Sequence, residues 1–119
     1  MKVSWPRILL HVEGLAVLIV ACVAYQKLGA SWLKFAVLFL APDLSMFGYL
    51  AGLKTGAAAY NAFHTYLVPV ILGAVFYFTQ NVALIPLCLI WIAHIGFDRL
   101  LGYGLKYATA FKDTHLSRV

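Results

Sequence analysis

Two histidines and three carboxylates lie where a chain can least easily leave them unpaired. His64, His94, Glu13, Asp43 and Asp98 all fall inside apolar runs long enough to cross a bilayer. An ionisable side chain in hydrocarbon costs on the order of 3 kcal/mol on insertion scales, so such residues turn inward and find partners. His94 and Asp98 are four apart, which stacks them on one helix face, and Tyr60, Asn61 and His64 share a side for the same reason. At a rise of about 1.5 Å per residue, Glu13 and Asp98 lie ~8 Å, Asp43 and His64 ~10 Å and His94 ~13 Å from the same end of their spans. All four runs contribute to this one layer, and the five side chains are expected to converge.

Imidazole and carboxylate ligands in that number suit a borderline divalent ion such as zinc, iron or manganese. Asp43, His64, His94 and Asp98 are the expected ligands, and Glu13 is the expected general base or a further ligand. Pro42 removes a backbone donor just before Asp43 and frees a carbonyl near that carboxylate. Arg99 and Lys106 lie just outside the layer, where they would hold an anionic group such as a phosphate, with Tyr60 and Asn61 completing the binding set. A second reading stays open at each point. The layer can be a proton-sharing network that locks helix register, Lys106 can be an interfacial lysine, and Arg99 can pair with Asp98. No HExxH, nucleophile elbow, glycine-rich phosphate loop or CxxC is present.

The elements that must position these residues are helices. Of 119 residues, 64% are hydrophobic and 11% charged, against roughly 25% charged in soluble proteins. Four apolar runs, residues 8–25, 31–50, 57–78 and 82–103, are separated by short breaks rich in Gly, Lys, Gln and Asn. The expected architecture is all-α: one integral membrane domain, a four-helix bundle with a tail over 104–119. His11 and Glu13 interrupt the first run, so it reads as a retained helix rather than a signal peptide. Leu105, Ala108 and Phe111 recur at helical spacing, so the tail is expected to form a short interfacial helix. Seven basic residues (Lys2, Arg7, Lys54, Arg99, Lys106, Lys112, Arg118) fall on one side and two, Lys27 and Lys34, on the other. Both termini are therefore expected to face the cytoplasm, from an inner membrane. The net charge of +5 comes from bases scattered singly. That pattern argues for a lipid bilayer as partner and against nucleic acid.

Ala41 to Tyr49 (APDLSMFGY), Tyr60 to His64 (YNAFH) and Trp91 to Arg99 (WIAHIGFDR) carry a resemblance, as do Leu101 to Lys106 and Asp113 to Leu116. In these segments the chain resembles a small bacterial membrane family catalogued as domain of unknown function 4260. The resemblance spans nearly the whole chain and is most specific from His94 to Lys106. It implies a four-helix membrane protein and brings no activity. A looser likeness is to membrane-embedded metal-dependent hydrolases, whose extended motifs are missing here.

Three functions are compatible with the layer. The first is a metal-dependent hydrolase acting on a lipid or amphiphile near the cytoplasmic leaflet. The second is a carrier or channel subunit relaying protons or ions, which requires a homo-oligomer because four helices alone leave only a narrow pore. The last is a bundle whose polar layer is structural. A bis-histidine haem through His64 and His94 fits poorly with three carboxylates nearby.

Overall fold

The computed structural model describes residues 4–119; Lys2, counted above for orientation, lies outside the described residues. Helix α1 spans Trp5–Lys27, with Ser4 accepting from the Arg7 amide as N-cap and Pro6 in the first turn, where its missing N–H has no intrahelical partner to lose. Helix α2 (Trp32–Leu38) starts on a Ser31 cap. The chain then tightens into a 3₁₀ segment, Ala41–Ala51. Helices α3 (Leu53–His64) and α4 (Leu67–Phe78) follow. A single 3₁₀ turn, Val82–Leu84, leads into α5 (Ile85–Leu101), and α6 (His115–Arg118) closes the chain.

The protein is all-helical, as expected, with no strand among the described residues. The expectation of four continuous helices does not hold. Three stretches, Trp5–Lys27, Trp32–Ala51 and Val82–Leu101, are long and apolar enough to cross a membrane, and α3 with α4 makes a fourth only as a pair bent by 43°. The second run passes from α-helix to 3₁₀ at Pro42, and the third breaks where Thr65 turns extended, with φ −97° and ψ 138°. Non-helical backbone at membrane depth is tolerated where protein buries it and other groups take up its polar atoms. At these breaks the Phe39 and His64 carbonyls are taken up by the His94 and Arg99 side chains.

Two pairs of elements make up most of the packing. Helices α1 and α5 run antiparallel and touch backbone to backbone. A methyl on Gly14 would lie 2.7 Å from the Gly96 carbonyl, and one on Gly96 would lie 2.8 Å from the Gly14 carbonyl. Small residues at such a seam let helices approach closely where lipid offers no hydrophobic drive. The second pair is the 3₁₀ segment against α3, where Gly56 seats the Tyr49 ring. Apolar side chains on α1, α4 and the 3₁₀ segment point outward in number, Leu50 and Phe78 being over 80% exposed.

The tail does not form the expected amphipathic surface helix. Helix α5 ends at Gly102, whose φ of 99° places it in the left-handed region, with Tyr103 N–H returning to the Asp98 carbonyl. Residues beyond it fold back over α3, and only the four residues of α6 are helical. The Asn61 side chain accepts from the Lys106 amide (2.6 Å) and donates to the Lys106 carbonyl (2.8 Å), a two-point clasp. His115 Nδ1 accepts from the Leu105 amide, and the Arg7 guanidinium donates to the Ser117 carbonyl. The start of α1 and the end of the chain thus meet at one end of the molecule.

Candidate metal centre

Four of the five expected residues converge. His64 and His94 are 0% and 1% exposed and Asp98 is 8% exposed. Asp43 is half-buried. One ligand atom from each residue lies within 4.8 Å of all the others. His64 Nε2 is 3.1 Å from Asp43 Oδ1 and 3.3 Å from Asp98 Oδ2. His94 Nε2 is 3.2 Å from Asp43 Oδ1 and 3.3 Å from Asp98 Oδ2. The two Nε2 atoms are 3.2 Å apart. Four ligands about 2.0 Å from a tetrahedral ion are separated by roughly 3.3 Å, so five of the six edges already have the length that geometry requires.

The helix breaks aim the imidazoles. Asp43 N–H bonds to the Leu40 carbonyl, a 3₁₀ bond, rather than to Phe39 as an α-helix would require. Phe39 O, so released, accepts from His94 Nδ1 at 2.7 Å. On α3, Tyr60 O lies 2.8 Å from His64 Nδ1, and the Tyr60 ring stacks on the His64 ring at 3.7 Å. A carbonyl only accepts, so each Nδ1 carries its proton and each Nε2 turns inward.

With Nδ1 the protonated nitrogen of each ring, four acceptors face one point. Two imidazole lone pairs 3.2 Å apart repel, as do two carboxylates, and protonating both Nε2 atoms would drive two N–H groups together. A positive centre among the four atoms would relieve both repulsions, and the four residues could hold one. A divalent cation satisfies all of them at once, and the backbone bonds at Nδ1 are the outer-shell support that histidine ligands ordinarily have.

The remaining candidates fall elsewhere. Glu13 is exposed and outside the cluster. Its depth along α1 matched the layer, but its rotation does not. Gly14 occupies the face packed on α5, and one residue earlier turns about 100° away. Arg99 makes no ion pair with Asp98 among the described residues. Its buried guanidinium donates to the Tyr103 carbonyl (2.9 Å) and the His64 carbonyl (2.7 Å), closing the C-terminal ends of α5 and α3. Asn61 is no ligand either, because both ends of its amide hold the Lys106 backbone. Tyr60 supports His64 and borders a cavity.

That cavity, about 310 Å³, opens on the Asp43 side of the centre. Asp43, Asp98, Tyr60 and Lys106 form its polar wall, and Met46, Tyr103 and Phe111 its apolar wall. Lys106 is 6% exposed and donates from Nζ to the Phe111 carbonyl at 2.8 Å, so it is no interfacial lysine. An apolar groove of about 210 Å³ flanks the centre, and among its lining residues Pro42 and Phe63 are chain neighbours of Asp43 and His64. Sequence reasoning missed the ordered tail that closes the cavity. The signal was present in Asn61, whose amide complements a strand-like backbone, but a single Asn does not say which backbone.

No curated protein and no solved structure matches the chain. A family model described as domain of unknown function (DUF4260) matches residues 7–119, and the chain belongs to that family.

Proposed function

We propose that this is a multi-pass inner-membrane protein that binds one divalent ion, zinc being the first choice, and uses it to hydrolyse a lipid or similar amphiphile. The observation that carries the reading is the inward convergence of four acceptors, His64 Nε2, His94 Nε2, Asp43 Oδ1 and Asp98 Oδ2, with both imidazoles anchored through Nδ1. A single shared proton would answer the two histidines and leave the carboxylates in excess, so a proton relay fits less well. A bound ion of this kind supplies Lewis acidity and lowers the pKa of a coordinated water.

The chain's own residues divide the work. His64, His94 and Asp98 are the buried, fixed ligands. Asp43 has 31% of its side chain exposed and borders the cavity, so it is the ligand a substrate oxygen or water would displace. Its carboxylate, bordering the cavity, would be the group to accept a proton from the attacking water, the role the sequence suggested for Glu13. The polar cavity and the apolar groove on either side suit a molecule with a polar head and an apolar chain.

Metal-free protein in neutral detergent should be inactive on short-chain esters and phosphoesters, regain hydrolysis with zinc or manganese, and lose it again with Asp98→Asn. A chain that binds no divalent ion, or binds one and cleaves none of these substrates under any loading, would end the hydrolase reading. The basic-residue asymmetry and the meeting of both ends support cytoplasmic termini. Cysteines at Val82 and Val119 should label from opposite sides of the membrane, and labelling from one side would reverse that assignment.

A further inference from the structure

The cavity beside the centre contains an unusual cation. Lys106 is nine-tenths buried, yet it forms no ion pair among the described residues. Its Nζ has three N–H donors. One hydrogen bond goes to the Phe111 carbonyl, and the other neighbours are the Phe111 ring at 3.6 Å and the Tyr60 ring at 4.6 Å. A buried ammonium with no carboxylate in ion-pair contact is costly, and aromatic faces compensate only in part. The chain nevertheless fixes it there, with Asn61 clasping its amide and carbonyl and Thr114 pairing across from it. Such a clasp fixes the backbone at a residue that lines the cavity.

We propose that this cavity is a phosphate subsite, in which Lys106 and the ion at the His/Asp centre together hold one phosphate group. The inference rests on the metal-centre reading above and adds the class of ligand. Two carboxylates, Asp43 and Asp98, share the cavity with Lys106. Without a divalent ion their charge exceeds that of the lysine, and an anion is repelled. With the ion they are neutralised, Lys106 leaves the site net positive, and a phosphate oxygen can replace Asp43 on the ion while another accepts from Nζ. Anion binding is therefore conditional on metal. Arg99, the other basic residue close by, directs its guanidinium at the Tyr103 and His64 carbonyls and does not line the cavity, so this role falls to Lys106. The phosphate can come from a lipid headgroup or from free phosphate, and Met46, Tyr103 and Phe111 on the apolar wall offer contact to the former.

The test uses full-length protein loaded with cobalt(II) in neutral detergent, with its visible absorption as readout. Titration with inorganic phosphate or dihexanoyl phosphatidic acid should shift the spectrum saturably, and phosphorus NMR of metal-free protein should show no binding. Lys106→Met should weaken phosphate at least tenfold while taking up cobalt normally, and Lys106→Gln serves if the methionine variant does not fold. At least tenfold tighter binding of the phosphatidic acid assigns a lipid source, and equal affinity assigns free phosphate. Full cobalt loading with a spectrum indifferent to phosphate, or unchanged affinity in the Lys106 variants, overturns the subsite and leaves the metal centre standing. Failure to take up cobalt at all overturns both.

Discussion

The α1–α5 pair and the pair formed by the 3₁₀ segment with α3 are held together by opposite means. The first is a regular antiparallel seam closed by Gly14 and Gly96, with backbones so near that a single added methyl has no room. The second is irregular, begins and ends at breaks, and carries polar atoms that continuous helices would have satisfied themselves. His94 and Asp98 belong to the regular half, and Asp43 and His64 to the irregular one. The centre is therefore the bolt between them. A protein that keeps one half regular can leave the other broken, because the breaks supply the carbonyls and the angles that a four-ligand site needs.

The largest expected effect strikes the regular half. Gly96→Leu drives a side chain into the α1 backbone and should destabilise the protein by about 3 kcal/mol or more in denaturant unfolding, equally with and without metal. His94→Ala should do the reverse. Outer-shell partners of a metal are worth 10–100-fold in affinity, and a direct ligand should exceed that range, so bound zinc should fall by more than ~100-fold. The accompanying loss of stability should be larger with metal than without it, where only the Phe39 bond and the ring's packing are lost, and hydrogen exchange should quicken across residues 41–64 and not along α1. A His94 variant that unfolds both halves alike would erase the distinction between them.

A smaller effect is expected from the tail. Asn61→Ala strips the Lys106 amide and carbonyl of their partners at a cost of about 1–3 kcal/mol. It should free the tail to proteolysis and leave zinc content unchanged, since Asn61 supports the cavity wall rather than the ion. The smallest effect is on pH. Burial, helped by the charge of Arg99, holds His115 below the ordinary imidazole value of about 6.5. The detached tail then takes up a proton more readily than the docked one. Docking is complete above about pH 6.5 and weakens as the pH falls below it. Exchange at the Leu105 amide, corrected for its intrinsic rate, should therefore accelerate between pH 7.5 and 5.5, because protonated Nδ1 can no longer accept from it.

Much of this was legible in the sequence, and the failures share a physical cause. Composition and run length disclosed the helices, and the cost of buried charge picked out Asp43, His64, His94 and Asp98. Spacing along one helix placed His94 over Asp98. Rotation between helices is a different quantity, and depth said nothing about it, which is why Glu13 appeared to belong and does not. The breaks at Phe39–Pro42 and Thr65 escaped notice because hydropathy is blind to backbone conformation; only Pro42 hinted at one of them. Arg99 and Asn61 looked like ligand contacts, yet each is engaged with backbone groups of residues 35 and 45 positions away, a pairing no local pattern contains.

Zinc K-edge X-ray absorption on the loaded protein tests the four-acceptor centre most directly. The expected result is one zinc per chain with four nitrogen or oxygen neighbours at about 2.0 Å and the outer-shell scattering of two imidazoles. Sulfur neighbours, a six-oxygen shell without imidazole, or protein that holds no zinc against dialysis would contradict it.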